Sequence, residues 1–587
     1  IEAKYVFPLD DMAAVVGFEA FINGKHVVGE VKGKEEAHRE YRQAISEGHG
    51  AYLMDEETPD VFTVSVGNLP PRASVLIKIT YVAELAVEGE NICFRLPGSV
   101  APWQKDSLSE KIQKDLETVK VEKDAGKEFS LQVAMEMPFD IRTIQSPSHK
   151  IRVKRTASKA VVELEKNCML GAGFLLQVGL AEIHVPRMWA ERHPDKDSQA
   201  CMLTFYPEFQ AEVMQGHEVI LLLDGSNSMR GSALEAAKKV ALLCLCHLPK
   251  ECSFNVVAFG TGYEELFAVS QSRTKSNVSK AETFIQVYSP SSTDWDLGSL
   301  FQVILFHLSL VLIGYYRASK GNTDAWRPLR GFFLLPPLGK TRNVLLISDG
   351  HVNNPDQTLS DVHQHYQETR VFSCGVGSQK SVVFQHNFYV SKTLLQSQVK
   401  SQLWKAAQPG LTSVSVDWQQ WDDDAPPPVQ APNQIVSLFN GSRQVVYGYV
   451  PHCTQATLKA VINNREISTM VSTTELSITT GKILHQLTAR AVIRDWEDGT
   501  LHSDRMHHET KKMGLKPYII DLSKEYSIVT QFTSFVAVEK REKDEDLTTG
   551  EGPSIAELVE KESVDILSYM GWERDKGEEE AEVCIVV

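Results

Sequence analysis

An almost unbroken apolar run, Val219 to Leu223, ends on Asp224-Gly225-Ser226-Asn227-Ser228 and is followed by a helix-forming stretch, Ala233 to Leu248. A strand that is apolar on both faces belongs inside a parallel sheet rather than on a half-solvated antiparallel one. The loop at its C-terminal end then lies where open α/β sheets place their ligands. One carboxylate and two hydroxyls delivered there suit a hard divalent cation that takes oxygen ligands and keeps a coordination position for a partner. Ser and Asp also favour strand-end turns and helix caps, so the loop by itself leaves both readings open. The feature points to adhesion rather than catalysis.

Further nearly continuous apolar runs, Phe254 to Phe259, Asn343 to Ile347 and Arg370 to Gly375, alternate with helical sequence. They predict a Rossmann-like, doubly wound α/β domain over 216–409. With 587 residues the chain exceeds one compact core, and its length suggests three or four domains. Residues 1–86 alternate short strand-like runs (Val15 to Ile22, Val61 to Val66) with one helix whose Ala37, Tyr41, Ala44 and Ile45 share a face. Residues 87–213 read as further sheet packing with that first module, in segments such as Phe129 to Met135 and Cys201 to Phe205. The breaker-rich stretch Asp422 to Pro428 leads into a β-rich C-terminal domain within 410–540, with one amphipathic helix near Ile483 to Trp496. Charge runs dominate 541–587, which predicts a disordered tail. The fold class expected is therefore multidomain, α/β and β.

The paired motifs Asp224-x-Ser226-x-Ser228 and Ser348-Asp349-Gly350, each closing a buried strand, resemble the metal-ion-dependent adhesion site of a von Willebrand factor type A domain. Tyr5-Val6-Phe7-Pro8-Leu9, Phe18, Gly29, Tyr41, Phe62 to Leu69 and Tyr81 resemble the VIT domain, which precedes the A domain in inter-alpha-trypsin inhibitor heavy chains. Gly48 to Met54, Pro186-Arg187-Met188-Trp189, Phe259 to Tyr263, Pro451 to Thr457 and Thr530 to Glu539 are similar to the vault-associated poly(ADP-ribose) polymerases of that superfamily. In that family the ADP-ribosyltransferase domain lies upstream of the VIT domain, so the resemblance implies that NAD serves a catalytic domain absent from this chain. It implies an interaction region within an intracellular enzyme, cytoplasmic or also nuclear, with vault-particle proteins among its partners. The alternative is a secreted, matrix-binding protein of the inhibitor heavy-chain type.

In the A-domain family a loop threonine completes the site, and two Thr-Asp pairs compete for that place. Thr293 lies 65 residues after Ser228, whereas Thr323 lies 26 residues before Asp349. The Gly321 to Trp326 segment is the more similar to the family loop. The resemblance thus implies Asp224, Ser226, Ser228, Thr323 and Asp349 as ligands of Mg²⁺ or Mn²⁺, with about 287–317 as an insertion. The apolar core of that insertion, Phe301 to Tyr316, is broken by Gln302, His307 and Ser309 and falls short of the roughly 20 residues a membrane span needs. The segment between Gly377 and Trp404, where the last strand and helix of an A domain belong, departs from the family pattern.

A net charge of −16 without a basic block argues against nucleic acid or an anionic membrane as partner. Nine scattered cysteines, several inside apolar segments, read as reduced thiols rather than a disulfide framework. Leu338-Gly339-Lys340-Thr341 ends like a phosphate loop but lacks its leading glycine and runs into a strand. His363-x-His365 and His507-His508 have no ligand set at metal spacing. The terminal Cys584-Ile585-Val586-Val587 has the form of a prenylation box, but with an atypical last residue and an acidic flank. No catalytic residue is assigned.

Overall fold

The structure is a computed structural model. It describes residues 3–9, 13–22, 25–58, 61–70, 75–100, 129–165, 168–171, 173–206, 216–287, 323–339, 341–350, 352–365, 368–376, 392–409, 412–420, 425–435, 438–462, 465–473, 478–498, 501, 505–541, 567–570 and 583–586. The insertion beyond Val287, with its apolar core 301–316, and most of the altered segment after Val376 lie outside these residues.

The apolar runs form the strands Glu218–Asp224, Ser253–Phe259, Arg342–Ser348 and Thr369–Gly375, each reaching one residue further at one or both ends than its run. They lie parallel, with Glu218–Asp224 between Ser253–Phe259 and Arg342–Ser348, and Thr369–Gly375 beyond the latter. The short strand Tyr263–Glu265 closes the other edge antiparallel.

Alternation along the central strand sends Val219, Leu221 and Leu223 to one face and Ile220 and Leu222 to the other. The first face packs on Val240 of helix Ser232–His247, Ile285 of Lys275–Val287 and Leu403 of Lys392–Ala407. The second packs on Leu329 and Phe332 of helix Trp326–Phe333 and on Val362 of Pro355–Gln364. Helices on both faces make the doubly wound domain that the sequence predicts. This is also why its strands carry no polar alternation.

The β-rich modules form by pairing across long stretches of sequence. The first sheet runs Ala3–Pro8, Val61–Gly67, Gly50–Thr58, Thr533–Glu539, Glu30–Gly33, all antiparallel. Helix Lys34–Ser46 covers it, burying Ala37 and Ala44 as its periodicity requires. Two four-stranded sheets, one holding Asn91–Pro97 and Gly173–Leu180 and the other Phe129–Glu136 and Lys159–Leu164, share one core with the first module through Phe7, Phe62, Phe129 and Phe174. Val583–Val586, within the tail expected to be disordered, pairs parallel with Phe129–Glu136.

A further sheet runs Val429–Ala431, Gln444–Tyr449, Gln199–Phe205, Arg187–Arg192, Ile478–Thr480. It therefore joins strands from both sides of the α/β domain. The predicted helix is present as Ile483–Asp498, and a second helix, Arg505–Glu525, packs on it. Their shared core of Ile493, Trp496, Ile519 and Tyr526 also takes in Ala14 of the first module. Among the described residues no helix is long and apolar enough to cross a membrane.

Candidate metal centre

Asp224 ends the central strand with its side chain fully buried. Its Oδ1 accepts the Ser226 backbone N–H at 2.8 Å, and its Oδ2 accepts the Ser348 hydroxyl at 2.5 Å. Ser348 ends the adjacent parallel strand and itself accepts the Gly350 N–H at 3.1 Å. That contact needs a turn in which Gly350 adopts φ +91°, a conformation open to glycine at no steric cost. The backbone N–H of Gly225 bonds the Phe259 carbonyl at 2.8 Å, so the loop is tied to the strands on both sides.

The Ser226 and Ser228 hydroxyls lie 3.0 Å apart, Ser226 buried and Ser228 exposed. Asp349 is buried beside them, and its charge acts on Asp224. Burial pushes the Asp224 carboxyl up to about 6, the Ser348 and Ser226 hydrogen bonds oppose that rise, and Asp349 adds to it. Two acidic groups thus crowd one dry corner of the sheet.

Thr323 is also buried and is held from two directions. Its carbonyl accepts the Asn353 N–H at 3.0 Å, while the next residue, Asp324, donates its N–H to the Gly260 carbonyl at 3.2 Å. The Asn353 amide closes the arrangement by donating to Asp324 Oδ1 at 3.0 Å. Thr323 is therefore stitched between the loop after Ser253–Phe259 and the loop after Arg342–Ser348. Its rival Thr293 lies outside the described residues.

The structure joins Asp224, Ser226 and Ser228 by direct hydrogen bonds, sets Asp349 beside them, and fixes the Thr323 backbone at the same end of the sheet. Ser348 and Asn353 belong to the arrangement and are not among the ligands the sequence predicts. The signal for Ser348 is a hydroxyl closing an otherwise apolar strand, directly before Asp349. Asn353 has no signal, because its role depends on a loop contact.

The donor set fits a hard cation: carboxylates and hydroxyls, with repulsion between Asp224 and Asp349 that a dication relieves. Among the described residues no group of three or more His, Cys, Asp or Glu is placed to hold a metal ion. Elsewhere, the strand Arg342–Ser348 follows the phosphate-loop-like Leu338 to Thr341 directly. His365 bonds the Asp361 carbonyl and stacks on Phe333.

Residues 1–81 match the vault protein inter-alpha-trypsin domain, and residues 217–305 and 308–384 match the von Willebrand factor type A domain. Over 98% of its length the chain is 49% identical to protein mono-ADP-ribosyltransferase PARP4 of Mus musculus and 46% identical to that of Homo sapiens. It spans 29% and 33% of those two proteins. It is also 26% identical, over 92% of its length, to von Willebrand factor A domain-containing protein 5A of Mus musculus, covering 69% of that protein.

Proposed function

From a chain that carries a vault protein inter-alpha-trypsin domain followed by a von Willebrand factor type A domain, we propose a non-catalytic protein-interaction region of an intracellular, NAD-dependent protein ADP-ribosyltransferase associated with vault particles. The observation that carries this reading is the convergence of Asp224, Ser226, Ser228 and Asp349 on one end of the parallel sheet, with Thr323 tied to the same end. These five residues would hold Mg²⁺ or Mn²⁺. When bound, the cation supplies Lewis acidity to which a partner's carboxylate can coordinate.

The chain's own residues do the remaining work. Ser348 and the Ser226 N–H fix both oxygens of Asp224, and Asn353 locks the Thr323 loop onto the loop behind Asp349. Ser228 is exposed, with its hydroxyl 3.0 Å from that of Ser226. NAD chemistry is assigned to a catalytic domain outside this chain. The scattered, mostly buried cysteines favour the intracellular reading over the secreted, matrix-binding one.

The test is calorimetric titration of the purified chain with Mg²⁺ and Mn²⁺. Binding is expected for the native chain and its loss for Asp224→Ala; equal binding by both removes the site assignment. A partner pull-down with and without EDTA then separates metal-dependent contacts from others. Transfer of label from NAD to the chain or to added protein would overturn the non-catalytic reading.

A further inference from the structure

Strand Gln199–Phe205 precedes the α/β domain, and strand Gln444–Tyr449 follows it after Thr412–Gln419 and Val429–Ala431. They pair antiparallel, with Phe205 opposite Gln444 and Cys201 opposite Gly448. Beyond Tyr449 the chain turns at His452, whose φ is +54°, and brings Cys453 against strand Gln199–Phe205. There Cys453 lies beside Cys201, its own Sγ–H donating to the Gln455 carbonyl at 3.2 Å. Gln199 fixes the pair, its amide donating to Cys201 Sγ at 3.4 Å and to the Cys453 carbonyl at 2.7 Å. Both thiols are free and buried in the same apolar cluster.

We propose that Cys201 and Cys453 form a peroxide-responsive pair that closes to a disulfide across the neck of the α/β domain. Their roles differ. The neighbouring Cys201 thiol, with the backbone bond to Gln455, lowers the Cys453 thiol from its ordinary range despite burial, while the neighbouring Cys453, and then burial, raise Cys201. Cys453 is also the nearer to solvent along the chain, because His452 and Thr454 on either side of it are exposed.

Cys453 sulfur attacks one oxygen of hydrogen peroxide, the O–O bond breaks, and water leaves with the thiol proton, giving a sulfenic acid. Cys201 sulfur then displaces the sulfenic oxygen, which leaves as a second water with the Cys201 proton. Two electrons pass from the sulfur pair to one peroxide. The resulting covalent ring encloses the entire α/β domain and locks its entry strand to its exit turn.

The test uses the whole reduced chain, treated with hydrogen peroxide well below its melting temperature, alkylated, and digested without reduction. A Cys201–Cys453 linked peptide, about 2 Da lighter than the sum of its parts and released by reductant, is expected. The oxidised chain is expected to melt several degrees higher than the reduced one. Alkylation of both cysteines once the oxidised chain is unfolded overturns the proposal, as does a link that forms only in denaturant. This mapping needs no variant, so a misfolded mutant cannot confuse it. In Cys201→Ser, a sulfenic acid on Cys453 trapped by dimedone supports the order of steps, and an unreacted Cys453 sinks it.

Discussion

At the scale of single residues, the cost of burying charge governs what each polar group does. Asp224 is dry and relies on the Ser348 hydroxyl for one oxygen. Ser348→Ala leaves that oxygen without its donor and is expected to cost about 1–3 kcal/mol. It should also weaken Mg²⁺ binding roughly tenfold or more, as loss of a ligand's supporting hydrogen bond does. Denaturant melts and calorimetry on the same preparation check both. Glu191 shows the opposite balance: burial raises its carboxyl, but the His485 ring at 2.8 Å and two backbone N–H groups of the helix it caps hold it below the ordinary 4.5. Because the folded value is the lower one, this contribution is complete above pH 4.5 and is lost as pH falls through the folded value. Native protein should therefore lose stability steeply below about pH 4.5, while Glu191→Gln, weaker at pH 7, should fall less over that window. Urea melts between pH 7 and pH 3 decide it.

Among the elements, those whose local pattern matches their burial were legible and the others were not. The four parallel strands and helix Ser232–His247 are apolar because they are covered, so residue type alone located them. The second C-terminal helix, Arg505–Glu525, was missed. Gly514 and Pro517 lie inside it, and Met506 and Met513 face solvent, so neither propensity nor periodicity announces a helix. It persists because Trp496 of the preceding helix packs in the shared core and donates its indole N–H to the Lys512 carbonyl at 2.8 Å. Trp496→Ala is expected to cost about 3–5 kcal/mol and to release the second helix before the rest. Hydrogen exchange that stays equally slow in both helices would contradict this. Within the candidate metal centre, Asp224 and Asp349 lie at the ends of strands that residue type locates, whereas Asn353 acts through a loop contact that no spacing encodes.

Over the whole molecule, sheets are closed by strands far apart in sequence, and pairing at such range leaves no mark on local composition. Nothing in Thr533–Glu539 announces that its partners are Gly50–Thr58 and Glu30–Gly33. The α/β domain, by contrast, hangs from adjacent strands, and a short turn joining Tyr206 to Arg443 would preserve the register that sets Phe205 opposite Gln444. A chain with 207–442 replaced in this way also loses Thr412–Gln419, Val429–Ala431 and the core side chains Ile435 and Leu438, so it is expected to lose divalent-metal binding and to melt below the intact chain. An unchanged circular dichroism midpoint would refute it. The strand Thr533–Glu539 has a consequence in time. Among the described residues it is the strand that bridges Gly50–Thr58 and Glu30–Gly33 in their sheet, yet it is made more than 470 residues after Thr58. At about 5–20 residues per second, the ribosome leaves that slot open for roughly 25–95 s. A module synthesised before the α/β domain is therefore finished after it, and through that interval its bare strand edges are the part of the nascent protein that a chaperone has to shield.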